Sequence, residues 1–478
     1  MSKGSPFDIV DFVASATRWA EAQDLRRQGA EGESIPDDPV SPVSAGWISA
    51  VWASIKFILV AAATPIWVPA IAWRAAINHR RARLLTLAHP ELVRDIGAGH
   101  TPQPPGNRVA WVDSDLRMFL SSDLHRCMSG RTDWPKRQGT KVLYDAMLDH
   151  YAAGEWHLCE NGDIEDFWQV GGSTYGSLYD LLRVIGGLLE TLDRPKLLTT
   201  LYRSHLDRVV ANNRGTYERI ATKFAHHGRY HRTVGNHDAP MGRTSVGARL
   251  RDHLGGVRVV DHIALVDHGG RMRALITHGH HTDGWNAPER DGLGRLSAWL
   301  ANTLIDVPLL NTPEGLPPEN TSDVLLSNAP NRLISVNPTF GATSTYDSMD
   351  EELLFEALGN TVDDMWLMLG HTHVPVYEPL SRAGRPWRRY ANSGCGITRE
   401  LITGLEWDGT GSEPVVRLVA WTYADDETPP GAIVTRDVNG RDVARFVLAP
   451  DELGRLRPSP PRLLPQAGGL DGTQLNPV

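Results

Sequence analysis

An α/β architecture is predicted for this chain by three observations. Strand-like apolar runs alternate with stretches of helical periodicity, turn-forming residues close the strand-like runs, and 41% hydrophobic content over 478 residues is ample for a sizeable core. The length exceeds one ordinary domain.

The N-terminal part differs from the rest. Ser5-Pro6-Phe7-Asp8 reads as a helix cap with proline in the first turn, and Phe7, Val10, Val13 and Ala20 continue as an amphipathic helix. An acidic linker with Glu31, Glu33, Asp37 and Asp38 completes residues 1–45. Residues 46–90 form an apolar segment with a basic flank: Lys56 is the only charge between Gly46 and Trp73. Lacking a basic leader and a cleavage site, the segment is not a secretory signal peptide. Two readings stay open. The uncharged stretch from Phe57 to Trp73, with Trp47, Trp52, Trp67 and Trp73 as interfacial aromatics, either enters a membrane surface or packs as a helix against protein. It falls short of the about 20 apolar residues that span a bilayer, and Pro65 and Pro69 interrupt it. If it anchors, Arg74, Arg80, Arg81 and Arg83 keep the remainder on the cytoplasmic face of the membrane, attached through residues 46–83.

Residues 107–450 carry the α/β signal. Leu116 to Ser121, Ala274 to Ile276, Trp366 to Leu369 and Val415 to Tyr423 read as strands. An insertion at 172–230 reads as helical, with Leu178, Leu181, Leu182, Ile185, Leu188, Leu189 and Leu192 at helical spacing. Leu198, Leu201, Tyr202, His205, Leu206 and Val209 repeat the pattern, so two helices cover a sheet or cap a cleft. From Gly284 to Asn360 six prolines mark a loop-rich connection. Near the end, Asn439-Gly440 separates Ile433 to Val438 from Val443 to Leu448, which predicts a hairpin with a two-residue primed turn. The Pro- and Gly-rich residues 451–478 are expected to be a disordered tail.

Composition narrows the partners. A net charge of −9 disfavours binding to an extended nucleic-acid backbone but leaves small phosphate-bearing molecules open. Three cysteines far apart, Cys127, Cys159 and Cys395, argue for buried thiols in a reducing cytoplasmic setting rather than a disulfide framework.

Five short stretches carry the chemistry: Asp123-Leu-His125, Gly162-Asp163-Ile-Glu-Asp166, Gly235-Asn236-His237-Asp238, His278-Gly279-His280 and Gly370-His371-Thr372-His373. Each follows a strand-like run and sits where a strand hands over to a loop, so the side chains can converge at the carboxyl ends of neighbouring strands. Carboxylates, imidazoles and an amide oxygen are the donors that two divalent cations need to clamp a phosphoester. No cysteine stands among them, which speaks against a closed structural zinc site.

In this order the motifs resemble those of the calcineurin-like metallophosphoesterase superfamily, over about Asp123 to Gly396. The resemblance implies two mixed sheets packed as a sandwich and flanked by helices, and two divalent cations (manganese, iron or zinc). One cation would take Asp123, His125, Asp163 and His373; the other would take Asp163, Asn236, His278 and His371, with Asp163 as the bridge. His237 would face the scissile phosphate, with Asp238 holding its ring and Asp166 supporting from behind. Hydrolysis by in-line attack of a metal-bridging hydroxide on a phosphomonoester, phosphodiester or pyrophosphate would follow.

His280 and His281 are then supporting or solvent-facing, Asp283 could orient one of them, and Arg126 is either a substrate-phosphate contact or a surface charge. Gly162-Asp163-Ile-Glu-Asp-Phe-Trp168, together with Asn392-Ser393-Gly394, is also similar to the UDP-diacylglucosamine pyrophosphohydrolases, which implies a lipid-linked substrate. Trp168 packed in the core explains the same letters, and the chain has His237 where those enzymes commonly carry arginine. A protein Ser/Thr phosphatase and a noncatalytic scaffold of the same fold are further alternatives.

Overall fold

The computed structural model describes residues 109–128, 133–168, 179, 183, 196–280, 365–373, 375–378, 388–398, 400–426, 428 and 430–449. The N-terminal helix and linker, the apolar segment 46–90, the first insertion helix, the connection from Gly284 to Asn360, and the tail all lie outside the described residues, as do His281 and Asp283. No helix among the described residues is long and apolar enough to cross a membrane.

The chain forms two mixed sheets with helices packed on one of them. The strands in chain order are β1 (Val109–Asp113), β2 (Arg117–Ser121), β3 (His157–Asn161), β4 (Tyr230–Thr233), β5 (Val259–Val260), β6 (His262–Val266), β7 (Met272–Thr277), β8 (Trp366–Leu369), β9 (Pro375–Tyr377), β10 (Tyr390–Ser393), β11 (Leu401–Asp408), β12 (Val415–Tyr423), β13 (Ile433–Arg436) and β14 (Asp442–Ala449). One sheet runs β1-β6-β7-β8-β10-β9, and the other runs β13-β14-β12-β11-β2-β3-β4-β5. Within them β2, β3 and β4 are parallel neighbours, as are β7, β8 and β10. Six parallel strand ends thus face one region, where ligands of open α/β sheets ordinarily bind.

Side-chain alternation builds the layers. Met118 and Leu120 of β2 point between the sheets, with Ala274 and Ile276 of β7 and Trp366 and Met368 of β8, while Phe119 points the other way, toward the helices. Leu275, Leu367 and Leu369 line the outer face of the six-stranded sheet. Strands apolar on both faces read as continuous hydrophobic runs, which is why β7 and β8 were visible in the sequence.

Among the described residues the longer helices that cover the eight-stranded sheet are α1 (Thr140–Ala153), α2 (Lys196–Asn212), α3 (Arg214–Lys223) and α4 (Thr244–Leu254). The second insertion pattern is α2, and all six of its periodic residues are buried. Burying each large apolar side chain contributes roughly 1.5–3 kcal/mol, so this face holds the insertion down.

The hairpin departs from expectation. β13 stops at Arg436, which pairs with Asp442, leaving a five-residue loop. Asp437 Oδ1 accepts the backbone N–H groups of Asn439 (2.8 Å) and Arg441 (2.9 Å). This local side-chain cap offers the backbone an alternative to the ladder, and only Gly440 takes a positive φ.

Candidate metal centre

The five motifs converge at the carboxyl ends of β2, β3, β4, β7 and β8. Asp123 and His125 follow β2, Asp163 and Asp166 follow β3, and Asn236 and His237 follow β4; from the other sheet, His278 follows β7 while His371 and His373 follow β8. Among the described residues three groupings of side chains at this place could hold a metal ion: Asp123, His125 and His373; Asp163, His278 and His371; and His125, Asp163 and His237. A fourth group, Asp113, Asp115 and His268, is exposed at the surface.

The backbone is bent to bring them in. Asp123 (φ 52°), His125 (48°), Asp163 (53°), His371 (74°) and His373 (60°) all adopt left-handed conformations, and they are five of the nine non-glycine residues that do so among those described. Such a conformation costs on the order of 1 kcal/mol or more for a side chain with Cβ, so the clustering marks a site that the surrounding structure enforces. Two glycines clear the space. A Cβ at Gly235 would lie 2.2 Å from Asp163 Oδ1, and one at Gly370 would lie 2.4 Å from Ser122 Oγ.

Each carboxylate is oriented by a neighbouring loop. The backbone N–H of His371 donates to Asp123 Oδ2 (2.9 Å), and that of His237 donates to Asp163 Oδ1 (2.7 Å). The second oxygen of each then faces imidazoles: Asp123 Oδ1 lies 3.2 Å from His373 Nε2, and Asp163 Oδ2 lies 3.2 Å from His278 Nε2. Asp123 Oδ1 is fully buried and accepts no hydrogen bond.

The imidazole tautomers follow from their outer partners. His278 Nδ1 is 2.9 Å from the carbonyl oxygen of Asn161, which only accepts, so the proton sits on Nδ1. The Nε2 of this ring therefore faces Asp163 Oδ2 and Asn236 Oδ1, the latter 3.3 Å away. His125 Nδ1 donates to Asp166 Oδ2 (3.0 Å), which leaves its Nε2 lone pair facing His373 Nε2 at 3.4 Å. Donors about 2.1 Å from a shared ion stand about 3.0–3.4 Å from one another, the spacing seen here.

Electrostatics record the same convergence. Burial opposes ionisation of Asp163, yet the rings of His278 and His237 hold its carboxyl well below the usual range. Burial likewise opposes charge on His278, but the carboxylates of Asp163 and Asp123 outweigh it and lift the ring to about 9. Asp123 is held low, against burial, by His278 and His373.

Asp238 does not hold the His237 ring, contrary to expectation. Its Oδ1 accepts Gly235 N–H (2.6 Å), and its Oδ2 accepts Ile164 N–H (3.0 Å) and pairs with Arg232. A residue adjacent in the chain and buried among backbone donors is turned toward them and away from its neighbour's ring. Asp166 takes the role instead: its Oδ2 lies 3.1 Å from His237 Nδ1 while also accepting from His125. Against the pull of burial, Asp166 and Asp163 raise the pKa of His237.

Arg126 meets neither expectation. It is buried, with Nη2 2.6 Å from Glu160 Oε1 and its guanidinium over the rings of Tyr144 and Tyr217. Trp168 stacks on His237 with ring centroids 4.2 Å apart, so it belongs to the site as well as to the core. His280 is buried, 5.3 Å from His278 between ring centroids. The three cysteines are buried, and none forms a disulfide.

Sequence reasoning missed the polar staples. Asn161 receives Thr233 Oγ1–H (2.7 Å) and donates to the Thr277 carbonyl (3.0 Å), tying β3 to β4 and β7. Asn392 Nδ2 braces the His371 loop at Gly370 O (2.8 Å) and Thr372 Oγ1 (3.1 Å). His205 of α2 sits 2.9 Å from the Asp166 carbonyl, which connects the insertion to the site. A signal existed: Asn161 ends β3 directly before Gly162-Asp163, and Asn392 lies in the buried strand β10, where a buried amide needs partners.

No protein-family model matches the chain, and no curated protein matches it. Among solved structures the chain is similar to the cold-active protein-tyrosine phosphatase of a psychrophile, Shewanella sp., at 13% identity, with 66% of this chain and 80% of that chain covered and a TM-score of 0.24. A point mutant of that enzyme gives the same values. A likeness of that depth fixes neither fold nor chemistry, and the site rests on its own geometry.

Proposed function

We propose that the chain is a dinuclear metal-dependent phosphoesterase of the calcineurin-like kind. The observation that carries this reading is a buried pocket in which the metal-donor atoms of Asp123, Asp163, Asn236, His125, His278 and His373 face one another. Carboxylate, amide and imidazole donors gathered this closely in a buried site are the set that divalent cations take. Asp123, His125, Asp163 and His373 would hold one ion; Asp163, Asn236, His278 and His371 would hold the other. When bound, a pair of divalent cations polarises a phosphoryl oxygen and makes bound water acidic enough to act near neutral pH.

The chain's own groups supply the rest. His237, with Nδ1 committed to Asp166, has Nε2 left to place a proton on the departing oxygen or to balance charge on the phosphoryl group. Trp168 fixes the ring plane from one face. His237 is also close enough to His125 and Asp163 to act as a ligand, and its substitution separates the two roles by metal content.

The test is a screen of chelator-treated protein, recharged separately with Mn²⁺, Fe²⁺ or Zn²⁺, against phosphomonoesters, phosphodiesters, nucleotides and lipid pyrophosphates. Hydrolysis of at least one class, dependent on added metal and abolished by chelator, is expected. Folded, metal-loaded protein inert toward every class would end the proposal.

A further inference from the structure

A second cluster of buried charge lies beside the pocket. Arg126 Nη2 pairs with Glu160 Oε1 at 2.6 Å; Glu160 Oε2 lies 3.8 Å from Arg232 Nη1; and Arg232 Nη2 touches both Glu165 and Asp238. Tyr144 donates to Glu160 (2.8 Å) and Tyr217 donates to Glu165 (2.6 Å), anchoring the chain of charges to α1 and α3. All five charged side chains are buried. Their positions matter more than their number. Arg126 follows His125, Glu165 precedes Asp166, and Asp238 follows His237, so three motif loops each send one member into the same network.

We propose that Arg232 is a positioning residue, whose guanidinium sets the separation between the loop bearing Asp163 and the loop bearing Asn236 and His237. The inference rests on the metal-centre reading above. A single nitrogen, Arg232 Nη2, meets carboxylates from both loops while Nη1 of the same rigid plane lies 3.8 Å from Glu160, so the guanidinium ties three acidic groups at fixed distances and angles, which a flexible ammonium does not. Hydrophobic packing would hold the loops together with equal strength but without directional register.

The test uses Arg232→Lys, which keeps the buried cation and loses the rigid plane, together with Arg232→Met/Glu165→Gln, which removes one charge of each sign. Mn²⁺ titration followed by electron paramagnetic resonance and thermal melting are read on the full chain. Wild-type protein should bind two Mn²⁺. In Arg232→Lys one site should weaken at least tenfold while the other stays within twofold and the melting temperature moves by only a few degrees. The weakened site is identified by combining Arg232→Lys with Asn236→Ala, where the two losses should not add. If the first variant does not fold, the charge-balanced double variant gives the same reading. Wild-type affinities at both sites in a folded variant would overturn the inference, as would equal weakening at both sites in step with a lowered melting temperature. Wild-type protein that binds no Mn²⁺ would overturn the metal-centre reading itself, and this inference with it.

Discussion

The pocket and the ionic network are both buried clusters of charge, built from neighbouring residues of the same loops, yet they solve opposite problems. In the network every carboxylate meets a partner: Glu160 accepts from Arg126, Tyr144 and Tyr230, and Glu165 accepts from Tyr217 and Arg232. In the pocket, Asp123 Oδ1 and Asp163 Oδ2 each lie 3.2 Å from a ring Nε2, and the Nε2 atoms of His125 and His373 stand 3.4 Å apart. The network matches each carboxylate to guanidinium and phenol donors, although Arg126 Nη1 and Arg232 Nε and Nη1 are buried without a hydrogen-bond partner. The pocket instead gathers carboxylates and imidazoles, the donor types a divalent cation takes.

The contrast breaks most sharply at Asp163. Asp163→Asn should abolish turnover and remove at least one equivalent of bound metal, measured by elemental analysis, because among the described residues Asp163 is the carboxylate that joins candidate metal groups on both the His125 side and the His278–His371 side. Arg126→Met attacks the ionic network instead. It should cost roughly 3–5 kcal/mol in denaturant unfolding, since it removes the close ion-pair partner of the buried Glu160 carboxylate.

A pH series separates the clusters without mutation. In metal-free protein His278 is lifted from 6.5 to about 9, so its proton stabilises the fold. That contribution, roughly 3 kcal/mol, is complete below pH 6.5 and is lost as pH rises through 9. Unfolding free energy of metal-free protein should therefore decline between pH 6.5 and 9, and saturating Mn²⁺, which takes the proton's place, should flatten the decline. An Arg126→Met variant should sit lower but keep the slope. His237→Ala has the smallest expected effect: a rate loss of roughly a hundredfold, about 2.7 kcal/mol, with both metal equivalents retained. Loss of metal equal to that in Asp163→Asn would make His237 a ligand.

Much of this was legible in the sequence, for identifiable reasons. β8 and β12 were readable to the residue because apolar runs bounded by turn formers leave few alternatives. The five motifs could be picked out as one set because their side chains are the donor types that can hold a metal ion, and the structure brings them together in groups able to do so. Partners chosen by three-dimensional neighbourhood were not readable. Asp166 rather than Asp238 braces His237, and Arg126 turns inward to Glu160, because β3 lies beside β2 and β4 in the sheet. The final hairpin formed, with β13 antiparallel to β14, but its two-residue turn did not, for a local reason: the Asp437 carboxylate caps the backbone N–H groups of Asn439 and Arg441 and the connection widens to five residues.

Anomalous diffraction from crystals grown with Mn²⁺ tests the central claim most directly. Two peaks about 3.5–4 Å apart, both adjoining Asp163 and divided between the His125–His373 side and the His278–His371 side, are the predicted result. No peak at the carboxyl ends of β2, β3 and β8, or Mn²⁺ bound only at the exposed Asp113, Asp115 and His268 group, would contradict it.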